Sequence, residues 1–265
     1  MKHVLRQARL SHGALAENER HGFAARHALC IYRSNAVYSF IPKNACTTLR
    51  YSLALDNGAI AGPEDFGWIH HNNWTFSASL RDLVTAHSSF VLLRCPFARL
   101  ASFYLDKIVG QLPPAPRLLP LLPHVASLRH LSFRQFALAM LDPAIRGHNN
   151  HWCPQSDFLV YETYSAYFCL ERFAEASEGI ERMTGLKVQD ARALGRHDLS
   201  RFTRDGSARY CDVPAQEIAA LKARNLVPAT EALYDDEIVA AVCQAYAEDL
   251  ALYRDCFGSG TLTFP

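Results

Sequence analysis

The stretch Ile41-Pro42-Lys43-Asn44-Ala45-Cys46-Thr47-Thr48-Leu49-Arg50 limits the folds open to this chain more than any other. It reads as a strand running into an anion-holding turn and then a helix. Val37 to Ile41 is mostly apolar and β-favouring, and Pro42 closes it as a strand end. After the turn, Leu49, Leu53 and Leu55 mark the apolar side of a helix. The first turn of a helix leaves backbone N–H groups unpaired and converging, and its dipole favours an anion there. Lys43 adds a point charge, and Thr47 and Thr48 add hydroxyl donors. A triphosphate-binding loop of the form G-x-x-x-x-G-K-[ST] carries its lysine at the far end. Here the lysine leads.

A second stretch is built the same way. Phe90-Val91-Leu92-Leu93 is a short continuous apolar run, as expected of a strand buried on both faces of a parallel sheet. It ends in Arg94-Cys95-Pro96-Phe97-Ala98-Arg99-Leu100-Ala101-Ser102, with Pro96 suited to the first turn of a helix. Arg94 therefore emerges at the carboxyl end of a strand, the edge where open α/β sheets bind ligands. Ser102 lies two turns into the helix. Between the two stretches, Trp68-Ile69-His70-His71-Asn72-Asn73-Trp74-Thr75 supplies two adjacent histidines. Histidine is the side chain suited to taking a proton from a hydroxyl near neutral pH.

In their order, these motifs resemble those of sulfotransferases that use 3'-phosphoadenosine 5'-phosphosulfate (PAPS). The resemblance implies that Lys43, Asn44, Ala45, Cys46, Thr47 and Thr48 hold the 5'-phosphosulfate, with Lys43 also catalytic. It implies that Arg94 and Ser102 bind the 3'-phosphate. Cys95 stands where the family usually has an acid, which bears on local stability more than on activity. His71-x-x-Trp74-Thr75 is similar to an element of heparan sulfate 6-O-sulfotransferases whose histidine is the catalytic base. That makes His71 the expected base and His70 its reserve. Asn149-Asn150-His151-Trp152-Cys153-Pro154-Gln155-Ser156 resembles the His-Trp-x-Pro-Gln element of carbohydrate sulfotransferases, with His151 and Trp152 either acceptor contacts or loop packing. Softer matches at Ala166 to Phe173 and Tyr246 to Leu250 extend the resemblance over roughly residues 35 to 255.

The implied fold is α/β, a central parallel sheet flanked by helices, the P-loop-like sulfotransferase fold. The implied reaction moves a sulfuryl group from PAPS to a hydroxyl of a carbohydrate-type acceptor, with no metal. A kinase-like P-loop enzyme using ATP and an inactive nucleotide-binding protein of the same fold are the rival readings.

The chain's 265 residues, 49% hydrophobic, suffice for a full core, and the expected organisation is an N-terminal arm (1–30) followed by one domain (31–265). Twenty-seven basic residues against 26 acidic ones argue against a general nucleic-acid binder. No apolar run of transmembrane length and no secretory pattern is present, so a cytoplasmic protein, plausibly bacterial, is expected. The eight cysteines, with no C-x-x-C pair, are expected as free thiols. Five prolines between Gln111 and Pro123 exclude a regular helix there. Helices are expected at Ser132–Leu141, at Ala174–Thr184 ending on Gly185, and at Asp235–Tyr253. Short strands are expected at Phe158–Tyr161 and Tyr167–Glu171. Arg196, Arg201 and Arg204 belong to a basic segment that either folds over the nucleotide or is a solvated loop.

Overall fold

The computed structural model describes residues 3–8, 10–72, 74–195, 199 and 201–265. The chain divides into two compact units, Met1–Arg94 with Gln155–Arg196 and Cys95–Pro154 with His197–Pro265.

A four-stranded sheet organises the first unit, in the order β1 (Ala28–Ile31), β2 (Ala36–Ser39), β3 (Ser88–Leu93) and β4 (Ala166–Cys169). The pairs β2–β3 and β3–β4 are parallel, and β1 joins β2 as an antiparallel edge. A tight hairpin permits only that orientation. Its turn, Tyr32–Ser34, closes on Asn35 at φ 50°, a left-handed conformation that asparagine tolerates. All six residues of β3 are buried, which explains the unbroken apolar run Phe90–Leu93 at its carboxyl end. Tyr38 stacks on Phe90 across β2 and β3 at 4.9 Å between ring centroids, and Phe168 of β4 meets Phe90 edge-on at 5.8 Å.

Among the described residues this unit carries the helices α1 (Glu19–Arg26), α2 (Cys46–Asp56), α3 (Trp68–His71), α4 (Leu80–Thr85) and α5 (Phe173–Thr184). A reciprocal capping box between Ser79 and Asp82 starts α4. Helix α5 ends on Gly185 at φ 72°, as its sequence predicts. Gly179 lets α5 approach the sheet, since a Cβ there would lie 2.5 Å from the Phe168 ring. The architecture is the expected one, α/β with a central, mostly parallel sheet flanked by helices.

Two local expectations are corrected. Phe158–Tyr161 is not a strand. Gln155–Phe158 forms a 3-10 turn, and Tyr161 makes only an isolated bridge to Leu5. The final helix is two, Asp236–Ala245 and Ala247–Phe257, broken where buried Tyr246 leaves helical geometry (φ −119°, ψ 33°) and donates its hydroxyl to Trp152 O at 2.6 Å.

The second unit is mainly helical, with a small parallel pair, Thr203–Asp205 beside Leu226–Pro228. Its helix Pro96–Phe103 carries Phe97 and Phe103 into an aromatic core with Phe133, Phe136, Trp152 and Tyr234. The Pro-rich segment folds as a 3-10 stretch, Ala115–Leu121, consistent with the exclusion of a regular helix. No helix among the described residues is long and apolar enough to cross a membrane.

His27, between α1 and β1, is 2% exposed and ringed by Phe23, Phe40, Phe158 and Trp74 at 4.5–5.1 Å. Its Nδ1 lies 2.8 Å from Phe23 O, so Nδ1 carries the proton, and the buried Nε2 has no partner among the described residues. Burial pushes its pKa down from 6.5 to about 4, and the Arg26 and Arg50 charges reinforce that against the Phe23 hydrogen bond. The unfolded chain therefore binds this proton more readily than the folded one. Folding stability is lost as pH falls from about 6.5 toward 4, on the order of 3 kcal/mol from this residue. Urea unfolding of His27→Phe at pH 7 and pH 4.5 should show a clearly flatter pH dependence than the wild type. Equal slopes would mean that His27 is not the acid-labile group.

Candidate active site

The loop between β2 and α2 occupies the carboxyl edge of the sheet. Strands β2 and β3 run parallel, with Ser39 opposite Val91, so the loop and Arg94 leave the sheet on the same side. Lys43 (φ 73°) and Ala45 (φ 51°) are both left-handed, although neither is glycine. Such residues cost on the order of 1–3 kcal/mol each and persist only where neighbours impose them.

The neighbours are a buried polar network. Asn44, fully buried, donates from Nδ2 to Leu92 O at 2.9 Å and to Gln155 Oε1 at 2.6 Å. The Arg94 guanidinium donates from Nη1 to Lys43 O at 2.9 Å. Gln155 accepts from Arg94 N at 3.0 Å and donates from Nε2 to Arg94 O at 2.8 Å. Thus both phosphate-type motifs are fixed to each other through main-chain and amide groups. Asn44 Oδ1 remains buried without a partner among the described residues.

Helix α2 begins at Cys46 after an N-cap, Ala45, that has no capping side chain. Among the described residues, the backbone N–H groups of Ala45, Cys46, Thr47 and Thr48 have no acceptor. Four donors at a helix start, with Lys43 and two threonine hydroxyls beside them in sequence, suit a phosphate or sulfate oxygen. The loop residues expected to bind the donor thus lie together on one turn.

His70 and His71 sit on α3 and are both exposed. The His70 ring packs edge-on against Phe66 at 5.3 Å. His71 makes no hydrogen bond or ion pair with a described residue. Arg50 of α2 ties this helix to the loop helix. Its Nη2 donates to Ile69 O, and its guanidinium carbon lies 5.4 Å from the Phe40 ring centroid. A crevice beside this contact is lined by Leu29, Arg50, Leu53, Trp68, Asn72 and Phe76.

Ser102 is half-buried in the helix Pro96–Phe103 of the second unit, not in the unit that carries the loop. Cys95 is the N-cap of that helix without a capping bond, and its Sγ lies 3.4 Å from both the amide and the hydroxyl of Thr263. A buried contact stands where the acid would cap. Trp152 is packing: it is 1% exposed and donates Nε1–H to Ile145 O at 2.8 Å. His151 is half-buried, its Nδ1 3.0 Å from Asn149 Oδ1. Arg99, 3% exposed, is equally structural and donates to Cys153 O at 2.6 Å. Arg204 donates to Pro228 O at 3.4 Å and Arg201 lies over Phe202, both in the second unit; Arg196 falls outside the described residues. All eight cysteines are free thiols. No group of three or more His, Cys, Asp or Glu side chains that could hold a metal gathers among the described residues.

The residues bracing the loop that sequence reasoning missed are Gln155 and Arg50. Gln155 was within reach, as the last residue of the His-Trp-x-Pro-Gln motif. Arg50 carried no signal beyond its place on the loop helix.

The sheet edge and its loop define a P-loop-like α/β domain. Residues 26–254 match the model of the sulfotransferase family, and the chain belongs to that family. No curated protein and no solved structure matches it. Sulfuryl transfer in general follows from membership, from a nucleotide sulfate donor to a hydroxyl acceptor, and the family generally uses PAPS as the donor.

Proposed function

We propose that this protein transfers a sulfuryl group from PAPS to a hydroxyl of a carbohydrate-type acceptor, with His71 as the base. The observation that carries the reading is the glycine-free loop behind Lys43, whose four N–H groups from Ala45 to Thr48 find no acceptor among the described residues. As the acceptor oxygen bonds to sulfur, the bond from sulfur to the 5'-phosphate oxygen breaks. The acceptor proton passes to His71. Charge growing on the leaving phosphate is met by the loop N–H groups, Lys43, and the Thr47 and Thr48 hydroxyls, donors already in place before the reaction. The exposed, uncommitted ring of His71 supports its role over that of His70, which packs on Phe66.

Arg94, which leaves the sheet on the same side as the loop, takes the 3'-phosphate through its guanidinium. Ser102 keeps its place in that role from the sequence resemblance. The carbohydrate acceptor rests on the His71-x-x-Trp74-Thr75 resemblance, and a cytoplasmic site on eight thiols that a reducing compartment would keep free. A panel of glycan acceptors with labelled PAPS tests the reading as a whole, and no transfer to any of them would remove the carbohydrate assignment.

The Arg94 role has its own test. A charge-assisted contact is worth about 1.5–3 kcal/mol, so Arg94→Ala should weaken adenosine 3',5'-bisphosphate tenfold to a hundredfold. Adenosine 5'-monophosphate should bind the variant nearly as well as the wild type. Equal weakening of both nucleotides would make Arg94 a brace for the loop and nothing more.

A further inference from the structure

We infer that Gln155 is a specificity-determining positioning residue, which couples the 5'-end and 3'-end subsites of the nucleotide. The inference rests on the donor reading above. Gln155 is 1% exposed and stands at the junction of the two motifs. One amide serves both: its oxygen accepts from the Asn44 side chain of the loop and from the Arg94 main chain, and its nitrogen donates to Arg94 O. Asn44 extends the link to the end of β3 through Leu92 O at 2.9 Å. The Arg94 side chain closes the circuit on Lys43 O at 2.9 Å.

Each of these bonds fixes where one motif lies relative to the other. None is positioned to contact a ligand on its own account, because the amide is spent on protein groups. A nucleotide charged at both ends needs both motifs at one separation, whereas a nucleotide charged only at the 5' end needs the loop alone. Gln155 therefore sets the preference for the doubly charged ligand. A side chain without the amide would let Arg94 shift against the loop and leave Arg94 N and O without this partner.

Calorimetric titration with adenosine 3',5'-bisphosphate and adenosine 5'-monophosphate tests this on wild type, Gln155→Leu and Gln155→Glu. Coupling between adjoining subsites is typically 5–150-fold, so Gln155→Leu should reduce the affinity ratio of the two nucleotides by about 10-fold or more. Gln155→Glu keeps the shape and the accepting oxygen, loses the amide donor to Arg94 O, and should reduce the ratio by less. It also serves where the leucine variant does not fold. A parallel loss for both nucleotides, with the ratio unchanged in the folded variants, overturns the inference and makes Gln155 a general prop. A wild type with no preference for the 3'-phosphorylated nucleotide overturns the donor reading itself, and the coupling with it. These two failures are read from different proteins and do not overlap.

Discussion

Lys43→Ala lowers turnover by at least ~100-fold, the scale of removing one donor aimed at charge that develops in the transition state. The substitution isolates the ammonium. Lys43 contributes its carbonyl to Arg94 and its left-handed backbone to the turn, and an alanine retains both the carbonyl and a Cβ. The backbone cost of φ 73° is therefore similar in the variant, and the unpaired N–H groups of the turn stay where they are. Single-turnover rates with labelled PAPS, on protein whose circular dichroism matches wild type, measure the effect. Lys43→Arg restores charge with a planar fork in place of a compact point charge and should recover only part of the rate. A folded Lys43→Ala enzyme with near-normal turnover would take this residue out of the chemistry.

His71→Ala leaves nucleotide binding nearly intact while cutting the chemical step by roughly 10²–10⁴-fold, the usual worth of a positioned base. Exposure on α3, with no hydrogen bond or ion pair to a described residue, leaves the imidazole available to an incoming hydroxyl. His70→Ala should do much less, because its ring is engaged with Phe66. If His70→Ala proved the more damaging change, the base would move one residue back. Were neither histidine to matter, the proton would have to pass to a group such as Glu162, His87 or His151.

The strand–loop–helix at residues 36–56 and the strand before Arg94 were legible because each carries its own local signal. One has a proline stop and a row of small polar residues; the other has an apolar run too short for a helix. Helix α5 was equally plain, closed by a glycine that adopts the left-handed conformation. Hidden features depend on partners far along the chain. Gln155 matters through Asn44 and Arg94, 111 and 61 residues away, and no local pattern encodes such a distance. Arg50 reads as an ordinary helix residue until Ile69 O is found within its reach. Strand β1 is four residues long, too short for periodicity to separate it from the polar segment before it. At Phe158–Tyr161 the apolar residues are buried by packing, and the segment pairs only through an isolated bridge from Tyr161 to Leu5, so composition alone misleads.

The turn at Lys43 to Ala45 achieves positive φ twice without a glycine. A glycine-rich loop is supple in the free protein and loses that freedom only when a ligand arrives. Here side chains and the surrounding amides have already removed the freedom, and the strain is met from folding energy. Ligand capture should then carry a smaller entropic penalty, while the turn itself becomes sensitive to mutations that merely loosen the protein. In this molecule, resistance to unfolding and the proposed capture of an anion should depend on the same few hydrogen bonds.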